Sequence, residues 1–368
     1  MSAIKKVLPL VRPEILALTP YSSARSEAQG LSADGRLAWL DANENYETPS
    51  VGAPLHNRYP QPQPADLIAQ LAKLYRVSPA QVIVTRGSDE GIDLLLRAFC
   101  RAGRDAILIT PPTYGMYRVA AAIQDARVVT APLNANRDFA LDIRAVLATV
   151  VASSKPKGTP PRVRLVFLCS PNNPTGALLD RTAVLRLTKA LLGRAVVVVD
   201  EAYIEFAKAK SLAADLKASP NLVVLRTLSK AYGLAGIRCG VTLADPTVIG
   251  VMQKIIAPYP IPRPVLSAAL AALSPAGLAA ARKSAAGLVA ARKQLAAALK
   301  KLPSVRRVWP SDANFLLVQV ADAARMMVAA RARGVILRDR SKDVPDAIRI
   351  TLGTDAENAL ALEVFRAM

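Results

Sequence analysis

The chain has 368 residues, 52% of them hydrophobic and 21% charged, with a mean hydropathy of +0.25. This excludes a globally disordered polypeptide and leaves room for one large domain plus a smaller one. The formal net charge is +20, but Lys and Arg are scattered along the whole chain. The densest basic cluster, Lys155–Arg164, is a Pro-rich loop without interleaved aromatics. A solvated basic surface is therefore favoured over a nucleic-acid footprint.

One histidine (His56) and three well-separated cysteines (Cys100, Cys169, Cys239) offer no metal-ligand spacing. The opening segment is broken by Pro9, Arg12 and Pro13, and no run approaches the ~18 apolar residues of a membrane span. A cytoplasmic protein without membrane or nucleic-acid partners is the expectation.

Residues 1–40, with Pro9, Pro13 and Pro20, read as an irregular N-terminal arm that should pack with the C-terminal unit. Residues 54–64 are too Pro-rich for a regular element. From Val82 onward, short apolar runs alternate with helical segments: VIVT at 82–85, a helix from Ser88 to Arg101, AILIT at 106–110, a helix from about Thr113, and RVVT at 127–130. Then come RLVFLC at 164–169, a helix from Asp180, AVVVVDEA at 195–202, LVVLRT at 222–227 and CGVTL at 239–243. Strands lacking polar alternation and separated by helices predict a mostly parallel sheet buried on both faces. This assigns a doubly wound α/β domain to 41–258. Four prolines between Pro258 and Pro264 close it. A long Ala-rich helix over Leu278–Leu302 opens a smaller α/β unit, 259–368, and no internal repeat is visible.

Four segments carry chemistry. Lys230 lies just after the strand LVVLRT, and in open α/β sheets ligands bind at the carboxyl ends of strands. A lysine that attacks an aldehyde must shed its proton, which partial burial near a cation such as Arg238 favours. Asp200 ends a run of valines, where a carboxylate either caps the following turn or partners a buried cation; Tyr203 follows three residues later. Ser170-Pro-Asn-Asn-Pro-Thr-Gly176 forms a sharp turn after another buried strand. Arg86-Gly87-Ser88-Asp89 follows VIVT and opens a helix. It is either a phosphate cradle or a plain capping box with Ser88 as its cap. Each segment alone has an ordinary structural explanation; their order along one chain is far more specific.

That order resembles the fold type I pyridoxal-phosphate (PLP) aminotransferases of the aspartate-aminotransferase type, through NNPTG from 173, DEAY at 200–203 and SKAYGLAGIRCG at 229–240. Within them the chain is most similar to the histidinol-phosphate aminotransferase family. That likeness is carried by LTPYSSAR (18–25), LDANENY (40–46), NRYPQPQP (57–64), PPTYGMY (111–117), ILRD (336–339) and IRITLGT (348–354).

The resemblance implies that Lys230 carries PLP as a Schiff base and shuttles the substrate proton. It implies that Asp200 keeps the ring nitrogen protonated, that Asn173 and Tyr203 bond the phenolic oxygen, and that Tyr114 stacks on the ring. Gly87, Ser88, Asp89, Thr227, Ser229 and Arg238 would hold the phosphate. Tyr59 would reach the phosphate of a neighbouring subunit, making a homodimer with shared active sites. Substrate contacts would come from Tyr21, Asn43, Tyr59, Asn173, Arg338 and Arg349, with Arg349 on a carboxylate and Arg338 the extra cation for a phosphate ester. The implied reaction exchanges L-histidinol phosphate and 2-oxoglutarate for imidazole-acetol phosphate and glutamate, in histidine biosynthesis. Rivals are an aromatic aminotransferase, a threonine-phosphate decarboxylase, and a PLP-sensing regulator, for which the N-terminal arm leaves no helix-turn-helix module.

Overall fold

The computed structural model describes residues 6–20, 40, 42–45, 47, 56–153 and 162–368. Tyr21 and most of the basic Lys155–Arg164 loop lie outside these. The large sheet is built from β1 (Val82–Thr85), β2 (Asp105–Ile109), β3 (Arg127–Thr130), β4 (Arg162–Cys169), β5 (Val196–Asp200), β6 (Leu222–Thr227) and β7 (Gly240–Ala244), in the order β1-β7-β6-β5-β4-β2-β3. β3, β2, β4, β5 and β6 pair in parallel. β7 runs antiparallel to both β6 and β1. The expected mostly parallel sheet is present.

The valine run explains its layering. All five residues of β5 are buried, but they point to alternate faces. Val197 and Val199 join one core with Val166, Leu168 and Val224. Val196 and Val198 join the other with Leu165, Phe167 and Val223. β-Branched side chains suit such a two-sided environment. Helices cover both faces, among them α1 (Pro13–Ala17), α2 (Ala65–Tyr75), α3 (Gly87–Phe99), α4 (Met116–Ile123), α5 (Ile143–Ala152), α6 (Arg181–Ala190) and α7 (Pro246–Gln253).

The expected packing of the N-terminal arm on the C-terminal unit is not what its described stretch does. Val7, Leu10 and Val11 are buried in the same core as Leu95 and Phe99 of α3 and Val248 and Met252 of α7. The Arg12 N–H donates to the Ala98 carbonyl at 3.0 Å, and Lys254 Nζ donates to the Leu16 and Leu18 carbonyls at the end of α1. Apolar side chains and helix-end carbonyls thus tie the arm to the large sheet.

A short helix α8 (Arg263–Leu273) leads through Ser274 into α9 (Pro275–Leu299), where the Ser274 hydroxyl caps the Gly277 N–H. The long helix is not basic on its solvent side alone: Arg292 is buried and donates to the Ala313 carbonyl at 2.6 Å. A second, antiparallel sheet follows, β10-β11-β9-β8, from β8 (Val305–Val308), β9 (Phe315–Val320), β10 (Arg338–Asp339) and β11 (Ala347–Thr351). It packs with α9, α10 (Ala323–Ala332) and α11 (Asp355–Arg366) around Leu299, Leu316, Val318 and Phe365. Among the described residues, no single helix is long and apolar enough to cross a membrane.

Candidate active site

The carboxyl ends of β1, β4, β5 and β6 converge on one edge of the large sheet. There a cavity of about 600 Å³ is lined by Ser88, Asp89, Tyr114, Asn173, Asp200, Tyr203, Thr227, Ser229, Lys230 and Arg238, and by Arg338 and Arg349 from the second sheet. The residues from the large sheet meet because they follow strands that end at the same level; Arg338 and Arg349 lie within β10 and β11.

At the cradle, α3 begins at Gly87 and its N-cap, Arg86, makes no side-chain cap. Ser88 is therefore not the cap, and the capping-box alternative fails. The Glu90 carboxylate instead takes the Arg86 N–H at 2.6 Å. Backbone N–H groups at the start of α3 remain available to an anion. Glycine is needed here twice. Gly87 has φ +76°, and a Cβ on it would lie 2.7 Å from Arg238 Nη2. Gly240 pairs with both Thr85 and Thr227, and a Cβ on it would run into the Gly87–Ser88 backbone. β7 thus presses the cradle from below. Arg238, itself at φ +57°, reaches Asp89 at 3.4 Å. The Ser229 N–H donates to Thr227 Oγ1 at 3.1 Å, placing both hydroxyls on the same rim.

Asp200 is 3% exposed. The Tyr117 hydroxyl donates to its Oδ2 at 2.9 Å and the Ala202 N–H to its Oδ1 at 3.1 Å. Burial pushes its pKa up to about 6, against the pull of those hydrogen bonds. The turn after it is pinned by its neighbour: Glu201, also buried, accepts from Arg226 Nη1 at 3.1 Å, from the Leu212 N–H at 2.7 Å, and from Ser211. Removing one partner of such a buried pair costs about 3–5 kcal/mol. Lys230 Nζ lies 5.7 Å from the centre of the Tyr203 ring. Desolvation, then the charge of Arg349, hold its pKa below the usual lysine value. Arg349 Nη1 donates to Asn173 Oδ1 at 2.6 Å. The Tyr114 hydroxyl donates to Asp89 at 3.0 Å, and its ring meets Tyr117 edge-on.

Two expected residues sit elsewhere. Tyr59 and Asn43 line a separate hollow of about 330 Å³ with Glu44 and Arg263. There Tyr59 stacks on Tyr259 with centroids 4.5 Å apart, and its N–H donates to Glu44 at 2.6 Å. Arg263, which matched no motif, donates to the Arg58 carbonyl at 3.2 Å. Two residues were missed. Tyr117 is the second tyrosine of PPTYGMY, three residues after Tyr114 and in the first turn of α4. Arg340 lines the cavity two positions after Arg338, on the same face of an extended segment.

The residues from 39 to 365 match the family model described as aminotransferase class I and II. The chain belongs to that family. It is 45% identical over 367 residues to a histidinol-phosphate aminotransferase from Stenotrophomonas maltophilia, covering 99% of this chain and 98% of that protein. It also superposes on the crystal structure of a histidinol-phosphate aminotransferase from Sinorhizobium meliloti in complex with pyridoxal-5'-phosphate, with a TM-score of 0.73, 28% identity, and coverage of 84% and 83% of the two chains. The structure of an L-threonine-O-3-phosphate decarboxylase from Porphyromonas gingivalis is similar at TM-score 0.69 and 25% identity, over 84% and 90%. The architecture is that of fold type I PLP enzymes.

Proposed function

We propose that this chain is a PLP-dependent histidinol-phosphate aminotransferase. It transfers an amino group between L-histidinol phosphate and 2-oxoglutarate, giving imidazole-acetol phosphate and glutamate. The observation that carries the reading is the cavity itself. It combines a buried acid, a lysine of lowered pKa, an uncapped helix start and arginines from the second sheet. The near-full-length identity of 45% favours this substrate over the decarboxylase reaction, whose likeness rests on 25%.

The residues fit PLP. The cradle is open only because Gly87 and Gly240 lack a Cβ, and Arg238, Ser229 and Ser88 supply donors for a phosphate ester. When bound, PLP supplies an aldehyde that takes up amino groups and a ring that accepts the electrons released at the substrate Cα. Asp200, whose carboxylate is fixed by Tyr117 and the Ala202 N–H, would keep the ring nitrogen protonated. Lys230 Nζ would anchor the cofactor's aldehyde and, once freed by the incoming amine, would serve as the base that takes the substrate Cα proton and the acid that gives it back. Tyr203 and Asn173 would orient the ring through its phenolic oxygen, and Tyr114 would stack on it. Arg349 would grip the carboxylate of glutamate or the phosphate of the other substrate in turn, and Arg338 would add the charge that the phosphate requires.

Tyr59 and Asn43 act in the neighbouring subunit of a homodimer, which accounts for their position outside their own chain's Lys230 cavity. The three cysteines are free and buried, which suits the cytoplasm. The division at 41–258 and 259–368 lets the second sheet carry the substrate arginines to the cofactor's edge. Formation of glutamate's partner product tests the reading: enzyme, L-histidinol phosphate and 2-oxoglutarate must yield glutamate and imidazole-acetol phosphate. Failure to do so, with turnover of phenylalanine instead, would sink the assignment.

A further inference from the structure

β10 sets Arg338 directly opposite Arg349 of β11. The Arg340 N–H donates to the Ala347 carbonyl at 2.8 Å and continues the pairing one step further. Alternate residues of a strand share a face, so Arg338, Arg340 and Arg349 come to one side, and all three line the Lys230 cavity. Like charges opposed across a ladder are destabilising. The cavity's own carboxylates are engaged elsewhere, Asp89 with Tyr114 and Arg238 and Asp200 with Tyr117. Among the described residues, the acid ion-paired with this trio is Asp343, whose Oδ2 lies 2.8 Å from Arg340 Nη2.

Arg349 gives one N–H to Asn173. The Nε atoms of Arg340 and Arg349 are buried without a hydrogen-bond partner. Buried donors of this kind are costly unless something accepts from them. The Arg340 side chain is 17% exposed, and it stands in the wall between the Lys230 cavity and a neighbouring cleft of about 820 Å³. Asp343 lines that second cleft and not the first. Arg340 thus borders both cavities and is paired with an acid that borders only the second.

We propose that Arg340 is a specificity-determining residue that exchanges Asp343 for the phosphate monoester of the substrate, completing a three-arginine subsite with Arg338 and Arg349. The inference rests on the reading that one site accepts a phosphate ester and a dicarboxylate in turn. A phosphate ester brings about two negative charges and three strong acceptor oxygens. The glutamate carboxylate that takes the same place brings one charge and two oxygens, a poorer match to three guanidinium groups than a phosphate dianion. Asp343 supplies the balancing charge when the dicarboxylate is bound.

Holoenzyme carrying Arg340→Gln and, separately, Asp343→Asn should be compared with wild type in the two half-reactions, each followed by cofactor absorbance, with L-histidinol phosphate and with L-glutamate. Inorganic phosphate is titrated calorimetrically into each protein. Arg340→Gln should lower kcat/KM for the phosphate ester about 10-fold or more beyond its loss with glutamate, as for removal of a charge-assisted hydrogen bond. It should also weaken inorganic phosphate. Asp343→Asn should tighten inorganic phosphate about 3-fold or more by freeing Arg340. Equal losses in both half-reactions for Arg340→Gln, or unchanged or weaker phosphate binding in Asp343→Asn, would overturn the proposal. Should wild type fail to turn over L-histidinol phosphate, the functional reading falls instead, and the phosphate titrations still decide the role of Arg340. Should Arg340→Gln fail to fold, Asp343→Asn decides alone.

Discussion

Asp200 carries a cost that can be measured. Burial raises its pKa from the usual 3.8 to about 6. The folded chain then holds the carboxyl proton more tightly than the unfolded chain does. The acid imposes no penalty below about pH 4, and the penalty grows as the pH rises through 6. A difference of about two pKa units corresponds to about 3 kcal/mol, fully developed near neutrality. Asp200→Asn removes that penalty but keeps the shape. It retains one acceptor oxygen for two donors, Tyr117 and the Ala202 N–H, which returns about 1 kcal/mol. The PLP-stripped variant should therefore be about 1–2 kcal/mol more stable than wild type at pH 7.5, with the gap closing by pH 4. Urea unfolding at a series of pH values measures this. The same substitution should lower turnover on the order of 10²–10³-fold, as when one preorganised charge partner is lost. A variant no more stable at pH 7.5, or a gap that does not vary with pH, would refute the idea that function keeps a strained acid in the core.

Further outcomes are expected at other positions. Lys230→Ala should reduce turnover on the order of 10⁴-fold and abolish the visible absorbance of the bound cofactor, with PLP still retained non-covalently through Arg238 and the cradle; near-normal transamination would refute the central role of this lysine. Because Arg349 helps to lower the Lys230 pKa, Arg349→Gln should move the pH dependence of covalent capture of added PLP upward; an unmoved profile means the two charges do not communicate. Gly240→Ala should cost about 1–3 kcal/mol by overpacking against the Gly87–Ser88 backbone and weaken PLP binding, read by fluorescence titration. Mixing Lys230→Ala with a Tyr59→Ala variant should restore activity to heterodimers with one intact site, whereas additive loss would mean that each subunit uses its own Tyr59.

Most of the large sheet was legible because its buried strands obey a rule visible in a single window: short, mostly β-branched apolar runs buried on both faces, as in VIVT and LVVLRT. RVVT also falls at the residues read from the sequence, although β3, at one edge of the sheet, is only partly buried. The helix after PPTYGMY was less so. It begins at Met116, not Thr113, because Tyr114 and Gly115 are held in the preceding loop, where the Tyr114 hydroxyl meets Asp89. Tyr117 was within reach of the same periodicity: three residues after Tyr114, it falls on the first turn of α4 and faces the sheet. Arg340 needed only a step of two from Arg338. Neither belongs to the residues that the family motifs single out: Tyr117 reaches the site through Asp200, and Arg340 lies one residue past ILRD.

Other features depend on which surfaces meet, and no local pattern encodes that. Val7, Leu10 and Val11 form an apolar stripe that any helix-covered face could have received; α3 and α7 received it. Gly240 is the sharper case. As the first residue of β7 it resembles any glycine entering a strand. Its necessity arises because β7 turns antiparallel and slips between β1 and β6, bringing its backbone beneath the first turn of α3. The cradle proposed for the phosphate thus depends on two glycines more than 150 residues apart, since Gly87 supplies the left-handed turn and Gly240 the clearance under it. A motif confined to Gly87–Asp89 contains only half of that requirement; the other half follows from the sheet order, which no local window encodes.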